Sequence, residues 1–374
     1  MGFTCGIVGL PNVGKSTIFN ALTSAKAAAA NFPFCTIEPN TGAVPVPDPR
    51  IDVLAAAAKS VKVVPTQMTF VDIAGLIRGA SKGEGLGNQF LGHIRSVDAI
   101  AHVVRCFDDD NIVHVDGSVN PVRDIETIET ELILSDLDAV QKLKSKLEKA
   151  AKTGDKAAKV KVGILESLES WLNQGKSART FMDSGASTAS VEDVLEATSS
   201  LLTAKPVLFV GNVPESDLLH EPDPTGTLPI DLLAAYALEH KCPLVTISGK
   251  VESEVAELDA AERQEYLASL GVKESGLDRM TLAGHKLLRL ITFFTVGPKE
   301  THAWTAQEGL LAPQCAGKIH SDFERGFIRA EIIGYEDFVS AGGEVKAKEQ
   351  GKMRTEGKEY VMKDGDIVHF RFNV

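Results

Sequence analysis

The chain has 374 residues, of which 44% are hydrophobic and 24% are charged, as in an ordinary globular protein of two or three domains. Its net charge of -12 excludes a general polyanion-binding protein, so any contact with nucleic acid must be local. No apolar run reaches the roughly 20 residues that cross a bilayer, and no signal peptide is evident. Five singly scattered cysteines argue against a disulfide framework or a zinc site. We therefore expect a cytoplasmic, monomeric protein without membrane contact.

The first chemical motif lies between a predicted strand and a predicted helix. Residues 9–17 read G-L-P-N-V-G-K-S-T and fit the phosphate-binding pattern G-x-x-x-x-G-K-[ST]. We expect Lys15 to bind the β- and γ-phosphates and Ser16 to ligate Mg²⁺. Backbone N–H groups and the N-terminus of the helix at 15–25 would bind the phosphate oxygens. The residues assigned to this loop are Asn12, Val13, Gly14, Lys15, Ser16 and Thr17.

Two further stretches are typical of segments that respond to a γ-phosphate. Residues 31–40 form a turn-rich loop in which Thr36 is a candidate Mg²⁺ ligand; the alternative is an ordinary surface threonine. Residues 67–72 predict a strand that ends in the motif D-I-A-G. There, the Asp72 carboxylate would hold a metal-bound water and the Gly75 N–H would bond the γ-phosphate.

The residue after that motif affects the expected rate of hydrolysis. Several GTPases carry a Gln there that orients the attacking water, whereas this chain has Leu76, which cannot hydrogen-bond to water. Hydrolysis is therefore slow, or another group performs the task. By sequence, His114 is the best-placed imidazole, because it follows the buried strand predicted at 99–107; the alternative is a surface histidine. The glycine-rich segment 78–88 predicts a second mobile switch.

From about residue 121 to 203, helical periodicity replaces the alternation of strands and helices. Apolar residues recur at steps of three and four, which predicts two antiparallel helices joined by a turn at 153–155. A basic tip on this hairpin suits RNA phosphates; the alternative is a solvated coiled-coil surface. The tip has eight lysines and two acidic residues, a local charge of +6, at Lys142, Lys144, Lys146, Lys149, Lys152, Lys156, Lys159, Lys161, Glu148 and Asp155.

A predicted strand at 206–211 leads into a candidate base-binding loop, N-V-P-E. Guanine-specific enzymes carry N-K-x-D at this place, and the longer Glu215 should weaken the pair that Asp makes with guanine. Asn212 can pair with the N7 and 6-amino groups of adenine. We therefore expect relaxed selectivity, or a preference for ATP over GTP. Val213 belongs to the same loop. Ser248 follows the next predicted strand and would lie behind the nucleotide base.

The C-terminal part predicts a small α+β module of about 85 residues. Residues 290–296 and 301–305 predict a β-hairpin, residues 321–331 a short helix, and residues 367–372 a final strand. The sequence shows no catalytic constellation there, so we interpret it as a binding module.

Together, these residues resemble the YchF / Obg-like ATPase family of translation-factor-related NTPases over essentially the whole chain. The resemblance rests on the phosphate loop, N-F-P-F-C-T-I-E-P-N, D-I-A-G-L, the helical insertion, N-V-P-E and G-K-I-H-S-D-F-E-R-G-F. It implies an α/β P-loop NTPase domain with an inserted coiled-coil hairpin and a C-terminal TGS domain of β-grasp fold. The boundaries expected are 1–120 and 204–285 for the NTPase domain, 121–203 for the insertion and 288–372 for the TGS domain.

The resemblance also implies Mg²⁺-dependent hydrolysis of ATP, with some GTP accepted, and association with ribosomes. Asn12 matches the position at which related potassium-stimulated NTPases hold K⁺, which makes K⁺ a candidate second cofactor. We expect a slow switch ATPase that the ribosome or K⁺ stimulates, with Lys15, Asp72, Gly75 and His114 as its catalytic residues. The alternative is a nucleotide-gated module that binds RNA or the ribosome and whose hydrolysis is vestigial.

Overall fold

The computed structural model of the chain describes residues 3–29, 40–73, 86–181, 184–187 and 189–373. The chain divides into two compact units. The N-terminal unit contains Phe3–Gly42 and Thr69–Gly284, and the C-terminal unit contains Ala43–Met68 and His285–Val374.

The described residues form twelve strands and fifteen α-helices. The strands are β1 Thr4–Val8, β2 Thr41–Pro45, β3 Lys62–Val64, β4 Gln67–Asp72, β5 Ala99–Arg105, β6 Val207–Asn212, β7 Leu244–Ile247, β8 Leu290–Val296, β9 Glu300–Gln307, β10 Phe327–Gly334, β11 Arg354–Glu356 and β12 Asp366–Phe372. The helices are α1 Lys15–Ala29, α2 Arg50–Ala58, α3 Leu86–Ser96, α4 Pro121–Lys152, α5 Lys156–Leu172, α6 Ala178–Phe181, α7 Val191–Thr198, α8 Pro229–Glu239, α9 Gly249–Ala256, α10 Ala260–Ser269, α11 Gly276–Leu287, α12 Ala312–Ile319, α13 Ser321–Arg325, α14 Tyr335–Ala341 and α15 Glu344–Glu349.

The sheet of the N-terminal unit is built around β1. Its strand order is β2-β4-β1-β5-β6-β7, and β1 pairs in parallel with both β4 and β5. Every residue of β5 and of β6 is buried, as expected for parallel strands covered on both faces. Because the strands run in the same direction, the loops that follow β1, β4, β5, β6 and β7 meet at one edge, where open α/β sheets bind ligands.

The predicted helical insertion is confirmed as two long helices. Asn120 caps α4 and Asp155 caps α5, each accepting a backbone N–H from the first turn. The 32 residues of α4 span about 48 Å. Predicted apolar positions such as Val140, Ile164 and Leu168 are buried in the core of this arm. Within the described residues, no helix is both long enough and apolar enough to span a membrane.

The sheet of the C-terminal unit has the order β11-β10-β12-β8-β9-β3. The predicted β8–β9 hairpin and final strand are confirmed, but the helix predicted over 321–331 is wrong beyond Arg325. Gly326 ends α13 by donating its N–H to the Asp322 carbonyl. The following residues form β10, since Phe327, Ala330 and Ile332 enter the core.

The C-terminal unit also contains a segment far away in sequence, Ala43–Met68, which the predicted boundaries place in the NTPase domain. In this segment β3 pairs in parallel with β9, and Ile51 and Leu54 of α2 lie in the same core as Phe294. The segment carries no chemical motif, so its partner could not be inferred from local sequence.

Candidate active site

A cavity of about 1350 Å³ opens at the edge of the N-terminal sheet where the parallel strands end. The loop after β1 lines it, as do the end of β4 and the loops after β5, β6 and β7. Five separate stretches of sequence therefore converge on one site, as the motif analysis predicted for the phosphate loop, Asp72, Asn212 and Ser248.

The phosphate loop needs glycine for steric as well as conformational reasons. Gly14 has φ +90°, and a Cβ there would lie 2.2 Å from Asn212 Nδ2. A Cβ on Gly9 would lie 2.7 Å from the Val103 carbonyl oxygen. Lys15 then begins α1, whose first turn carries no acidic side chain and lines the cavity through Lys15, Ser16 and Thr17. The free N–H groups of a helix N-terminus favour an anion at this place.

Lys15 and Asp72 form an ion pair inside this cavity. Lys15 is 9% exposed, and both side chains line the cavity together with Ser16 and Thr17, which are exposed at the start of α1. The predicted phosphate-binding cation, metal-linked carboxylate and metal-binding hydroxyl thus lie side by side. The predicted residues Thr36 and Gly75, together with Leu76 and most of the two predicted switch segments, lie outside the described residues.

Asn212 has a different environment from the one predicted. Its Nδ2 donates to the Val13 carbonyl at 2.9 Å, and its Oδ1 accepts the Gly249 N–H at 2.9 Å. The oxygen that we expected to accept the adenine 6-amino group thus accepts one hydrogen bond already, and because an amide oxygen has two lone pairs the contact with adenine stays a prediction. Asn212 also joins the phosphate loop to the start of α9, and one Nδ2 hydrogen is left for a base nitrogen.

The remaining base-loop residues line the cavity as predicted. Glu215 lies 3.4 Å from Lys250 Nζ, so its carboxylate has a cationic partner. Val213 is buried. Ser248 is also buried, and its Oγ has no hydrogen-bond partner among the described residues. A polar atom of this kind in a cavity wall fits a ligand that supplies the missing hydrogen bond.

His114 is buried rather than at the surface, and it is not one of the residues that line the cavity. Its Nε2 lies 2.9 Å from Asp124 Oδ2, and its Nδ1 accepts the Asp116 N–H at 3.1 Å. Both ring nitrogens are therefore engaged in this conformation, so reaching a water in the cavity requires residues 113–116 to move.

Motif reasoning missed Arg105, which shapes one wall of the cavity. This guanidinium is 2% exposed and donates to the carbonyls of Phe107 and Ile112, each at 2.9 Å. It also stacks over the Phe107 ring at 4.6 Å. Phe107 and Ile112 line the cavity. An arginine at the end of a wholly buried strand was the available signal, because a buried charge needs several partners.

The lysines of the arm tip are less uniform than their spacing suggests. Lys142 pairs with Asp138, Lys144 with Glu169, Lys152 with Glu148 and Lys161 with Glu196. The exposed lysines without an acidic partner among the described residues are Lys146, Lys149, Lys156 and Lys159.

Comparison with known proteins identifies the family. Residues 290–373 match the C-terminal YchF-GTPase family model, described as a protein of unknown function, and residues 4–160 match a model described as a 50S ribosome-binding GTPase. The chain is 53% identical to the ribosome-binding ATPase YchF of Escherichia coli O157:H7 and 51% identical to that of Bacillus subtilis, over the full length of each. It belongs to the YchF family.

The solved structures agree with this assignment. The structure of the Schizosaccharomyces pombe YchF GTPase superposes with a TM-score of 0.87 at 39% identity, covering 99% of this chain and 98% of that one. The predicted fold class is therefore confirmed as an α/β P-loop NTPase domain with a helical insertion and a C-terminal β-sheet domain. The assignment of that last domain to the TGS type stays a prediction.

Proposed function

We propose that this YchF-family protein binds and slowly hydrolyses ATP, and GTP less well, as a switch that acts on the ribosome. The observation that carries the proposal is the Lys15–Asp72 pair at the N-terminus of α1 in a cavity of nucleotide size. The names of its full-length relatives support ATP as the nucleotide and the ribosome as the partner. The protein would act in the cytoplasm, where ribosomes are, and as a monomer.

The residues at the phosphate end fit Mg²⁺ and K⁺ as cofactors. The Ser16 hydroxyl is exposed beside Asp72, so Ser16 would ligate Mg²⁺ directly and Asp72 would hold it through water, with Thr36 as the third group. Bound Mg²⁺ neutralises charge on the β- and γ-phosphates. The Asn12 amide lies in the same cavity and would bind K⁺. Lys15 and the N–H groups of the loop would bind the phosphates, and the Gly75 N–H would complete the γ-phosphate site.

For the attacking water we propose His114 as the positioning group. Because Nδ1 accepts a backbone N–H, the ring proton lies on Nε2 and points at Asp124. When residues 113–116 move, Nδ1 can accept a hydrogen bond from water. The Leu76 side chain cannot make such a hydrogen bond.

The base preference follows from Glu215. Its pair with Lys250 competes with the hydrogen bonds that guanine would need, whereas adenine requires no carboxylate. We expect ATP to bind more tightly than GTP in calorimetric titrations of nucleotide-free protein. Glu215→Asp should narrow the difference, because it restores the shorter carboxylate of the guanine-specific pattern, although Val213 still stands where that pattern has Lys. A tenfold preference of the unchanged protein for GTP, about 1.4 kcal/mol, would contradict the proposal.

A second candidate function is favoured by the four exposed lysines at the tip of the arm that lack an acidic partner among the described residues, Lys146, Lys149, Lys156 and Lys159. In this alternative, the protein is a nucleotide-gated binding module for RNA or the ribosome, with vestigial hydrolysis. Asp72→Asn separates the two functions. If that variant loses turnover but keeps ribosome co-sedimentation and cellular function, the binding module is the better description. Single-turnover hydrolysis of ATP and GTP, with and without ribosomes and in potassium or sodium, tests the stimulation directly.

A further inference from the structure

The loop between β5 and α4, residues 106–120, connects the cavity to the base of the arm. On the cavity side, Val113 presents its carbonyl to the Asn12 amide at 3.1 Å. On the other side, His114 Nε2 contacts the Asp124 carboxylate in the first turn of α4. The phosphate loop therefore bonds to Val113, and the long helix of the arm bonds to the next residue, His114.

The Asp124 side chain is buried, with 2% of the residue exposed, and its carboxylate lies among groups that favour a hydrogen-bond acceptor. It lies in the first turn of a 32-residue helix, where the helix terminus stabilises negative charge. Arg123 Nη2 donates to its other oxygen at 3.2 Å. A carboxylate accepts hydrogen bonds and cannot donate them, so the Nε2 that faces Asp124 must carry the ring proton.

The first turn of α4 also contacts the segment that covers the second ring nitrogen, Nδ1. Nδ1 is covered by the Asp116 N–H, and the Asp116 carboxylate lies 3.6 Å from Arg123 Nε. Arg123 Nη1 further donates to the Ser118 hydroxyl at 3.1 Å. Two consecutive residues of α4 thus set both the proton position on His114 and the segment that covers its acceptor nitrogen.

We infer that Asp124 is a positioning residue for ATP hydrolysis. By accepting the Nε2–H, it holds the imidazole in the one tautomer whose Nδ1 can accept a hydrogen from the attacking water once Asp116 moves away. This inference rests on the proposed role of His114. It goes beyond that role in assigning a residue of the arm to the chemistry of the nucleotide site, although Asp124 itself does not line the cavity.

Asp124→Asn is the informative change, because it keeps the shape and offers Nε2 an N–H donor, which favours the opposite tautomer. We expect the single-turnover rate of the full-length protein at saturating ATP to fall at least about tenfold, which is less than the roughly 10²–10⁴-fold that a full general base contributes, because His114 positions the water. The dissociation constant for ATP should stay within about twofold, since the variant leaves the phosphate loop intact. A purely structural role would change ATP binding and thermal stability instead. Glu126→Gln, on an exposed position of the same helix, is the matched control and should retain the wild-type rate.

A double-mutant cycle with His114→Ala makes the test decisive. If Asp124 acts through His114, adding Asp124→Asn to His114→Ala should not lower the rate further. A wild-type rate for Asp124→Asn, or rate reductions that multiply in the double variant, would overturn the inference. If His114→Ala alone hydrolyses ATP at the wild-type rate, the water-positioning part of the proposed function fails and Asp124 fails with it, while ATP hydrolysis itself stands.

Should Asp124→Asn fail to fold, Asp124→Glu gives the same cycle, because it retains a carboxylate acceptor. It should keep more activity than His114→Ala and should have no effect in the His114→Ala background. Equal rate reductions in both backgrounds would overturn the inference.

Discussion

At the scale of single residues, the groups most informative about this protein are buried polar side chains at the ends of strands or in the loops that follow them. Asn212, Arg105 and His114 each place their donors and acceptors on loops that border the cavity. Each is buried, so breaking one of its hydrogen bonds would leave an unsatisfied polar group. We expect such residues to maintain the shape of the site more than to contact the nucleotide.

Glu252 is a further buried group, and its titration gives a pH-dependent prediction. Burial raises the pKa of this carboxyl from 4.5 to about 6, while Oε1 accepts the Gly276 N–H at 2.7 Å and Oε2 has no partner among the described residues. The stabilising effect of a raised pKa is fully present below pH 4.5 and is lost as the pH rises through 6. Between a pH well below 4.5 and a pH well above 6, the wild type should therefore lose about 2 kcal/mol of unfolding free energy through Glu252.

Denaturant unfolding at pH 5 and pH 7.5 measures this effect. Glu252→Gln has no ionisable group at this position and should reduce the difference in stability between the two pH values. The exposed Glu257→Gln should leave that difference unchanged. The same pH dependence in wild type and Glu252→Gln would show that Glu252 does not titrate with a raised pKa.

At the scale of elements, the periodicity of apolar residues correctly predicted the two helices of the arm. Counting charges along the sequence did not predict which lysines pair with acidic residues. The apolar spacing of α4 and α5 depends only on helix geometry, so both helices could be inferred from sequence. The acidic partners Glu169 and Glu196 lie 25 and 35 residues from their lysines, beyond the stretch from which the local charge was counted. For the same reason, the helix predicted at 321–331 did not anticipate β10, whose pairing with β12 is non-local.

The division between paired and unpaired lysines predicts where the arm would bind RNA. Reversal of Lys149, Lys156 and Lys159 to Glu should weaken ribosome co-sedimentation and reduce its salt dependence. The slope of log K against log salt should fall by about one for each phosphate that the variant no longer binds. Reversal of the paired residues Lys142, Lys152 and Lys161 changes the net charge equally and should have a smaller effect. Equally weakened binding in both triple variants would indicate that total charge, and not a local interaction, governs binding.

At the scale of the whole molecule, the sequence predicted what depends on short spacing and missed what depends on distant contacts. The phosphate loop and Asp72 were correctly placed together, because their motifs contain their own structural context. The His114–Asp124 contact and the position of Ala43–Met68 in the C-terminal unit depend on tertiary packing. No local pattern encodes either of them.

Because the C-terminal unit is built from two separate segments of the chain, it leads to a prediction about fragments. Residues 285–374 alone lack β3 and the buried side chains of Ile51 and Leu54. Each of these side chains contributes about 1.5–3 kcal/mol when buried, a large part of the roughly 5–15 kcal/mol that stabilises a domain. We expect this fragment to be unfolded or weakly folded by circular dichroism and amide NMR dispersion. A single chain that links residues 43–68 to residues 285–374 should fold cooperatively.

The control for the linked fragment is the same chain with Leu54→Asp, which retains the length but cannot fill the core. A well-dispersed spectrum from residues 285–374 alone would contradict the prediction.

The placement of Ala43–Met68 also determines when the C-terminal unit can fold during synthesis of the chain. Arg50 pairs with Asp364 at 2.6 Å across 314 residues of chain. At about 5–20 residues per second, its partner is made roughly 15 to 60 s after Arg50 itself. During that time α2 and β3 have emerged, while the sheet that will bury Ile51 and Leu54 does not yet exist. A chain whose full-length relatives are named ribosome-binding ATPases thus completes this unit only after Asp364 has been synthesised.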